Sequence, residues 1–333
     1  MQTVAVVGAE RRTPWHLAAY VDCDAVRDVL LAEPDDQRRA DLVEPWGIIK
    51  QDVADYSLLL ADDTVDIVDI CAPAHCRSKI ATEALNAGKH VICEGPAAMN
   101  ADDFRALATA AARAERRLLV CIPHLMIPAN MRVQEFIDSE ETGRISLATI
   151  AAFGDGTDRM ELSEGWPERT QTVPAIITDV VHDAIAVLQR WLGNMTSVSA
   201  FSPGGIESMT GCGVSLGSAS GALAQISAGY EPSGDGWTEE RRLVTENGVI
   251  LVRDDSEDEL PLIVMEGGMF QPVRVHNPPM IRRHATKQMI WKIVEALECE
   301  SEPPVTLEEA EAAIQTMAAV YESIESGRVT EIG

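Results

Sequence analysis

The sequence predicts an α/β protein in two parts. Residues 1–123 form a Rossmann-like, doubly wound parallel sheet, and residues 124–333 form an α+β domain with an open, mainly antiparallel sheet. Three observations lead there. Short apolar runs alternate with helical stretches through the first part, the mark of βαβ units with helices on both faces of a sheet. Beyond residue 124 the alternation gives way to a helix, several strand patterns and two long closing helices. The length, 333 residues with 46% hydrophobic and 24% charged, suits two globular domains and excludes disorder, collagen-like repeats and disulfide scaffolds.

Val4 to Val7 is the first expected strand and ends at Gly8. His16 to Val21 reads as helix, Val26 to Ala32 as the second strand, and Gln37 to Glu44 as the next helix. Val65 to Cys71 is an apolar strand that stops at Ala72-Pro73. Cys76 to Asn86 is a helix closed by Gly88, where a left-handed residue commonly ends a helix. Val91 to Cys93 follows as strand, Asn100 caps an Ala-rich helix running to Arg116, and Leu118 to Ile122 completes the set. Ligands of such sheets bind at the carboxyl ends of the strands. Those ends are Gly8, Glu33, Cys71-Ala72-Pro73, Cys93-Glu94-Gly95-Pro96 and Pro123-His124.

In the second part Ala129 to Ser139 reads as helix and Ser146 to Phe153 alternates like a strand, before a Gly- and Asp-rich loop over Gly154 to Gly165. Ile176 to Leu192 is helical, and Val214 to Ala228, Arg242 to Val252 and Leu260 to Met265 read as antiparallel strands. Helices at Met280 to Leu297 and Thr306 to Ser326 close the chain. The last opens on a capping box, Thr306 with Glu309, ends before Gly327, and is a candidate to pack back on the first domain.

Lys plus Arg number 27, only five of them Lys, against 53 Asp plus Glu, giving a net charge of −26. So acidic a surface repels phosphate backbones and anionic headgroups, so no nucleic-acid or membrane partner is expected. No apolar run reaches the ~20 residues that span a bilayer. The amino terminus enters a strand pattern at once, with no room for a signal peptide. The seven cysteines form no CxxC pair, and no cluster of His, Cys and carboxylates has metal-ligand spacing. A cytoplasmic protein with reduced thiols and no metal is therefore expected.

The run Asp66-Ile67-Val68-Asp69-Ile70-Cys71-Ala72-Pro73-Ala74-His75, followed by Ala87-Gly88-Lys89-His90-Val91-Ile92-Cys93-Glu94-Gly95-Pro96, resembles the Gfo/Idh/MocA oxidoreductases. Thr142-Gly143-Arg144-Ile145, Arg190-Trp191-Leu192-Gly193 and Pro303-Pro304-Val305-Thr306 extend the resemblance over nearly the whole chain. It implies a Rossmann domain, a substrate domain whose sheet serves homo-oligomerisation, and NAD(P)-dependent redox chemistry at a hydroxyl carbon of a sugar or cyclitol.

Three motifs depart from the family pattern. The dinucleotide loop reads Gly8-Ala9-Glu10-Arg11-Arg12-Thr13, so only the first of three glycines survives and Glu10 brings a carboxylate towards a dianionic ligand. Arg11 and Arg12 offset that charge if they turn inward. Glu33 occupies the acidic position that bonds the adenosine ribose and favours NAD over NADP. By resemblance Ala72, Pro73, His75 and Pro96 border the cofactor. The proton-handling lysine of the family's Glu-Lys-Pro motif is absent, since the motif here is Glu94-Gly95-Pro96, and Lys89 lies too early to replace it. In the catalytic helix, alignment from Asp179 puts Asp183 where the family has histidine, with His182 one residue before it.

Three functions remain open on the sequence. The first is NAD(H)-dependent hydride transfer with His182 or Asp183 as acid/base, Asp179 as its orienting partner and His124 as a substrate contact. The second is cofactor-free acid/base chemistry by His182, Asp183 and Glu94. The third is a non-catalytic binding protein, including a pseudoenzyme subunit paired with an active homologue.

Overall fold

The computed structural model describes residues 1–154, 166, 174–206, 209–230, 237–253, 262–266, 269–275 and 281–333. The chain divides into two compact units. Unit 1 takes Met1–Pro123, Leu162–Thr170 and Thr286–Ile314, and unit 2 takes His124–Glu161, Gln171–Ala285 and Gln315–Gly333. A contiguous division at 123/124 misses the two later segments of unit 1. Residues of the third segment bond directly to the Rossmann core: the Trp291 indole donates to Ala19 O (2.9 Å), the Arg117 guanidinium to Ser301 O (2.7 Å), and Arg105 Nε to Glu311 Oε1 (2.6 Å).

Unit 1 runs β1 (Gln2–Val7), α1 (Thr13–Val21), β2 (Val26–Ala32), α2 (Asp36–Val43), β3 (Ile49–Val53), α3 (Ser57–Leu60), β4 (Ile67–Ile70), α4 (Ala74–Asn86), β5 (His90–Glu94), α5 (Ala101–Ala114) and β6 (Leu118–Cys121). All six strands are parallel in the order β3-β2-β1-β4-β5-β6. The order reverses between β1 and β4, which opens the crevice where such sheets bind ligands. Val4 to Val7 and Ile67 to Ile70 are buried on both faces, so these strands read as continuous apolar runs. Asp69 is the exception inside β4. The caps follow the sequence: Asp35 accepts from the Gln37 and Arg38 amides, Asn100 from the Asp103 amide, and Gly88 closes α4 at φ +76°.

Unit 2 contains a 3₁₀ turn at Pro123–Met126, α6 (Pro128–Asp138), β7 (Ile145–Gly154), a π-helical turn at Ile177–Val181 and α7 (His182–Leu192). Strands β8 (Met195–Phe201), β9 (Gly211–Ser218), β10 (Leu223–Tyr230), β11 (Trp237–Thr245), β12 (Gly248–Arg253), β13 (Leu262–Glu266) and β14 (Met269–Val273) follow. Then come α8 (Ile281–Glu298), which belongs to unit 1 from Thr286 on, α9 (Leu307–Ser326), which belongs to unit 2 from Gln315 on, and β15 (Thr330–Glu331). The nine strands order as β14-β13-β12-β11-β7-β10-β9-β8-β15, antiparallel except for β7 with β10.

Several expectations need correction. Strand β3 escapes the sequence because its middle, Lys50-Gln51-Asp52, is polar, as an edge strand permits. Val214 to Ala228 is two strands folded at Ala219–Gly221, and Arg242 to Val252 is two folded at Glu246-Asn247. Strands β8, β14 and β15 lack the period-2 pattern that a sequence reading needs. The helix expected from Ile176 begins with a π turn. The loop expected over Gly154 to Gly165 lies outside the described residues beyond Gly154.

Candidate active site

In unit 1 the turn after β1 is shaped by packing. Gly8 has φ +106°, and a Cβ there would lie 2.5 Å from Cys71 O, so glycine is required whatever binds above it. At the third glycine position of the motif, the Thr13 hydroxyl instead donates to Gly8 O (3.2 Å), tying α1 to the strand end. Glu33, buried at the end of β2, accepts from the Ala9 amide (2.8 Å) and the Asp35 amide (3.0 Å). Burial pushes its carboxyl up against the pull of these two donors, the Trp166 side chain and the Arg38 charge. Of the neighbouring charges, Glu10 meets the Arg38 guanidinium at 3.4 Å, Arg11 lies over the Trp15 ring, and Arg12 turns inward to within 3.9 Å of Glu94. These residues fit a dinucleotide. Glu33 puts a carboxylate at the end of β2, with the Trp166 side chain and two backbone amides already beside it, and Arg38 offsets Glu10 beside the loop.

Beneath that loop lies a buried network. His16 in α1 bonds Asp69 Oδ2 through Nδ1 (2.8 Å) and Glu94 Oε1 through Nε2 (3.1 Å), and the Tyr20 hydroxyl donates to Asp69 (2.7 Å). Burial disfavours the His16 charge, but Asp69 and its neighbours outweigh this and raise the imidazole well above its ordinary range. Burial likewise opposes the charge of Glu94. Arg12, His16 and Arg77 overcome it and pull the carboxyl down to about 2. Arg77 also donates to the carbonyls of Ala72 (2.8 Å), Gly95 (2.9 Å) and Pro96 (3.3 Å), joining the loops after β4 and β5. Glu94 is therefore held as an anion by the cations around it. Lys89 donates to the carbonyls of Asp62 (2.7 Å) and Val65 (2.9 Å), a structural role. Pro73 precedes α4, and His75 is half-buried in its first turn.

His16, Asp69 and Cys71 bring three ligand-type atoms within 4.8 Å, a grouping the sequence spacing does not show. Both imidazole nitrogens already face carboxylates, and burial pushes the Cys71 thiol up to about 12. With both imidazole nitrogens engaged, the group reads as a hydrogen-bonded core.

Unit 2 gathers a second set of charged groups. His124, in the 3₁₀ turn after β6, approaches Asp183 Oδ2 through Nδ1 at 2.9 Å. That nitrogen makes no hydrogen bond, so the approach is a charge contact out of line with the ring N–H. Asp183 Oδ1 lies 3.3 Å from His182 Nδ1, and His182 Nε2 is buried without a partner. The structure thus brings together His124, His182 and Asp183 but pairs His182 with Asp183 rather than with Asp179, whose carboxylate accepts from Thr178 (3.5 Å). A π turn spans 4.4 residues, so Asp179 and Asp183 stay near one face and the one-residue offset of His182 persists.

Glu239 on β11 completes the set. It is 4% exposed, forms an ion pair with Arg241 (2.7 Å), accepts a hydrogen bond from Arg282 (2.8 Å), and lies 3.8 Å from His124 Nε2. Burial alone would push its carboxyl up, but Arg241, His124 and Arg282 hold it below the ordinary range.

A reversed six-stranded parallel sheet, with a glycine turn after β1 and a buried acid after β2, defines a dinucleotide-binding Rossmann protein. Residues 2–121 match the family model described as an oxidoreductase family with an NAD-binding Rossmann fold. Residues 2–121 thus carry the Rossmann domain of this family, the Gfo/Idh/MocA oxidoreductases, which the chain as a whole resembles. It is 24% identical over 310 residues to D-xylose 1-dehydrogenase (NADP(+)) 2 of Haloferax volcanii, covering 91% of each chain. The structure of an oxidoreductase from Agrobacterium radiobacter in complex with NAD+, L-tartaric acid and magnesium matches with TM-score 0.85 at 17% identity, over 100% of this chain and 98% of that one. Levoglucosan dehydrogenase in complex with NADH and levoglucosan matches with TM-score 0.84 at 17% identity, over 99% of both chains. Among the described residues no helix is long and apolar enough to cross a membrane.

Proposed function

We propose that the protein is an NAD(H)-dependent oxidoreductase acting at a hydroxyl carbon of a sugar- or cyclitol-like molecule, with His124 as the acid/base group. One observation supports this above the others: His124 presents Asp183 at Nδ1 while Nε2 stays beyond hydrogen-bond reach of Glu239. Asp183 places a negative charge beside one ring nitrogen, which leaves the other nitrogen to take or give a proton. His182 buttresses Asp183 from the other side. Glu33 would hold the adenosine ribose, and its charge disfavours the extra phosphate of NADP. When bound, the nicotinamide accepts or donates the hydride. Named substrates of the relatives, D-xylose and levoglucosan, point to the sugar class.

Titration with NADH and NADPH, read by fluorescence, should give micromolar binding with NADH preferred. Oxidation of a panel of aldoses, anhydrosugars and inositols should be lost in His124→Gln while nucleotide binding is kept. Gly95, in place of the lysine, favours one second reading, cofactor-free acid/base chemistry. Absence of nucleotide binding at millimolar concentration would replace the redox reading by that one.

A further inference from the structure

Glu239, Arg241 and Arg282 lie outside every motif that the family resemblance supplies. Glu239 and Arg241 sit two apart on β11, so both side chains point to the buried face of the sheet, and Arg241 is 0% exposed. A carboxylate taken this far out of water needs partners, and Glu239 has two guanidiniums, at 2.7 and 2.8 Å. Its distance to His124 Nε2 is then 3.8 Å, near enough for charge to act and too far to capture the N–H. In unit 1 the equivalent arrangement closes: Glu94 lies 3.1 Å from His16 Nε2, and that imidazole is spoken for at both nitrogens.

We infer that Glu239 is a positioning residue for His124, held at a distance by Arg241 and Arg282 so that it stabilises the imidazolium without occupying the nitrogen that meets substrate. The inference rests on the reading of His124 as the acid/base group. The groups facing His124 among the described residues are Asp183 from α7, Glu239 from β11 with its two arginines, and Asn130 from α6, whose amide donates to the His124 carbonyl (2.7 Å).

The test needs neither substrate nor cofactor. The protein has seven histidines, so ring-¹⁵N-labelled full-length protein gives a spectrum in which His124 is assigned by its loss in His124→Gln. In Glu239→Gln the His124 titration midpoint should fall by about one pH unit or more, as removal of a charge within 4–6 Å requires. In Arg282→Gln, Glu239 is freed to approach, and the midpoint should rise. A general loss of packing gives no such opposite pair of shifts. If Glu239→Gln fails to fold, the rise in Arg282→Gln carries the test alone, and its absence overturns the inference. Unmoved midpoints, or shifts of one sign, also overturn it. Nucleotide binding measured on the same variants should stay at the wild-type level, so failure of the redox reading shows separately, in the wild type.

Discussion

Replacing Glu94 by Gln tests the unit 1 network most directly. Glu94 is buried, and Arg12 (3.9 Å), His16 (3.1 Å) and Arg77 (3.6 Å) face it. The carboxyl titrates at about 2 instead of the ordinary 4.5, so at roughly 1.4 kcal/mol per pH unit ionisation contributes roughly 3 kcal/mol to folding at neutral pH. Because the folded value lies below the unfolded one, that stability is present above pH 4.5 and drains away as pH falls towards 2. Removing one member of a buried ionic set costs about 3–5 kcal/mol. The lower end applies here, since Asp69 still holds His16 and backbone carbonyls still hold Arg77. Urea unfolding followed by circular dichroism at pH 7 should show that loss, and the acid limb of the Glu94→Gln profile should be flatter than that of the wild type between pH 4.5 and 3. A pH 7 loss under about 1 kcal/mol, or an unchanged acid limb, would refute the role assigned to this carboxylate.

His16→Gln should alter the opposite limb. The raised folded value means that its contribution is fully present below pH 6.5 and lost as pH rises through the folded midpoint, so the variant's alkaline stability profile should be flatter than that of the wild type. Gly8→Ala should cost more than about 2 kcal/mol in the same unfolding assay, because positive-φ strain adds to a clash with the Cys71 carbonyl. Glu10→Gln should tighten NADH binding by no more than roughly fivefold, since the charge is half-exposed and already faced by Arg38. Weaker binding in that titration would show that Glu10 assists the ligand.

The Rossmann half was legible because parallel strands buried on both faces appear as unbroken apolar runs, and because Gly88, Asn100 and the Thr306–Glu309 box punctuate the helices. The box forms as read, Glu309 N to Thr306 Oγ1 at 3.1 Å and Thr306 N to Glu309 Oε2 at 2.9 Å. Legibility failed where burial and polarity part company. In the charged run Thr238-Glu239-Glu240-Arg241-Arg242, which the sequence reading passes over up to Arg242, Glu239 and Arg241 are buried while Arg242 is exposed. The available signal was the alternation with Leu243, fully buried in the same register. Glu94 read as a candidate catalyst because its spacing shows a motif but not the guanidiniums that neutralise it. Asp183 beside two histidines depends on α6, α7 and the turn at His124 meeting in space, which no local pattern encodes.

The two buried histidines show how hydrogen bonding separates structure from chemistry. Each lies between an aspartate and a glutamate, and each glutamate is faced by two arginines: Asp69 and Glu94 with Arg12 and Arg77 for His16, Asp183 and Glu239 with Arg241 and Arg282 for His124. Composition is thus the same and geometry differs. Closing both contacts, at 2.8 and 3.1 Å, leaves His16 no nitrogen with which to meet a ligand. Leaving one at 3.8 Å keeps the His124 Nε2 outside hydrogen-bond reach of Glu239. With Gly95 lacking a side chain, Lys89 bound to two carbonyls and Glu94 held as an anion, the proposed carbinol chemistry looks to a group of the second kind for its proton. His182 also has an unpaired nitrogen, but it is 0% exposed against 7% for His124. On this difference in exposure the proposed acid/base role falls on His124.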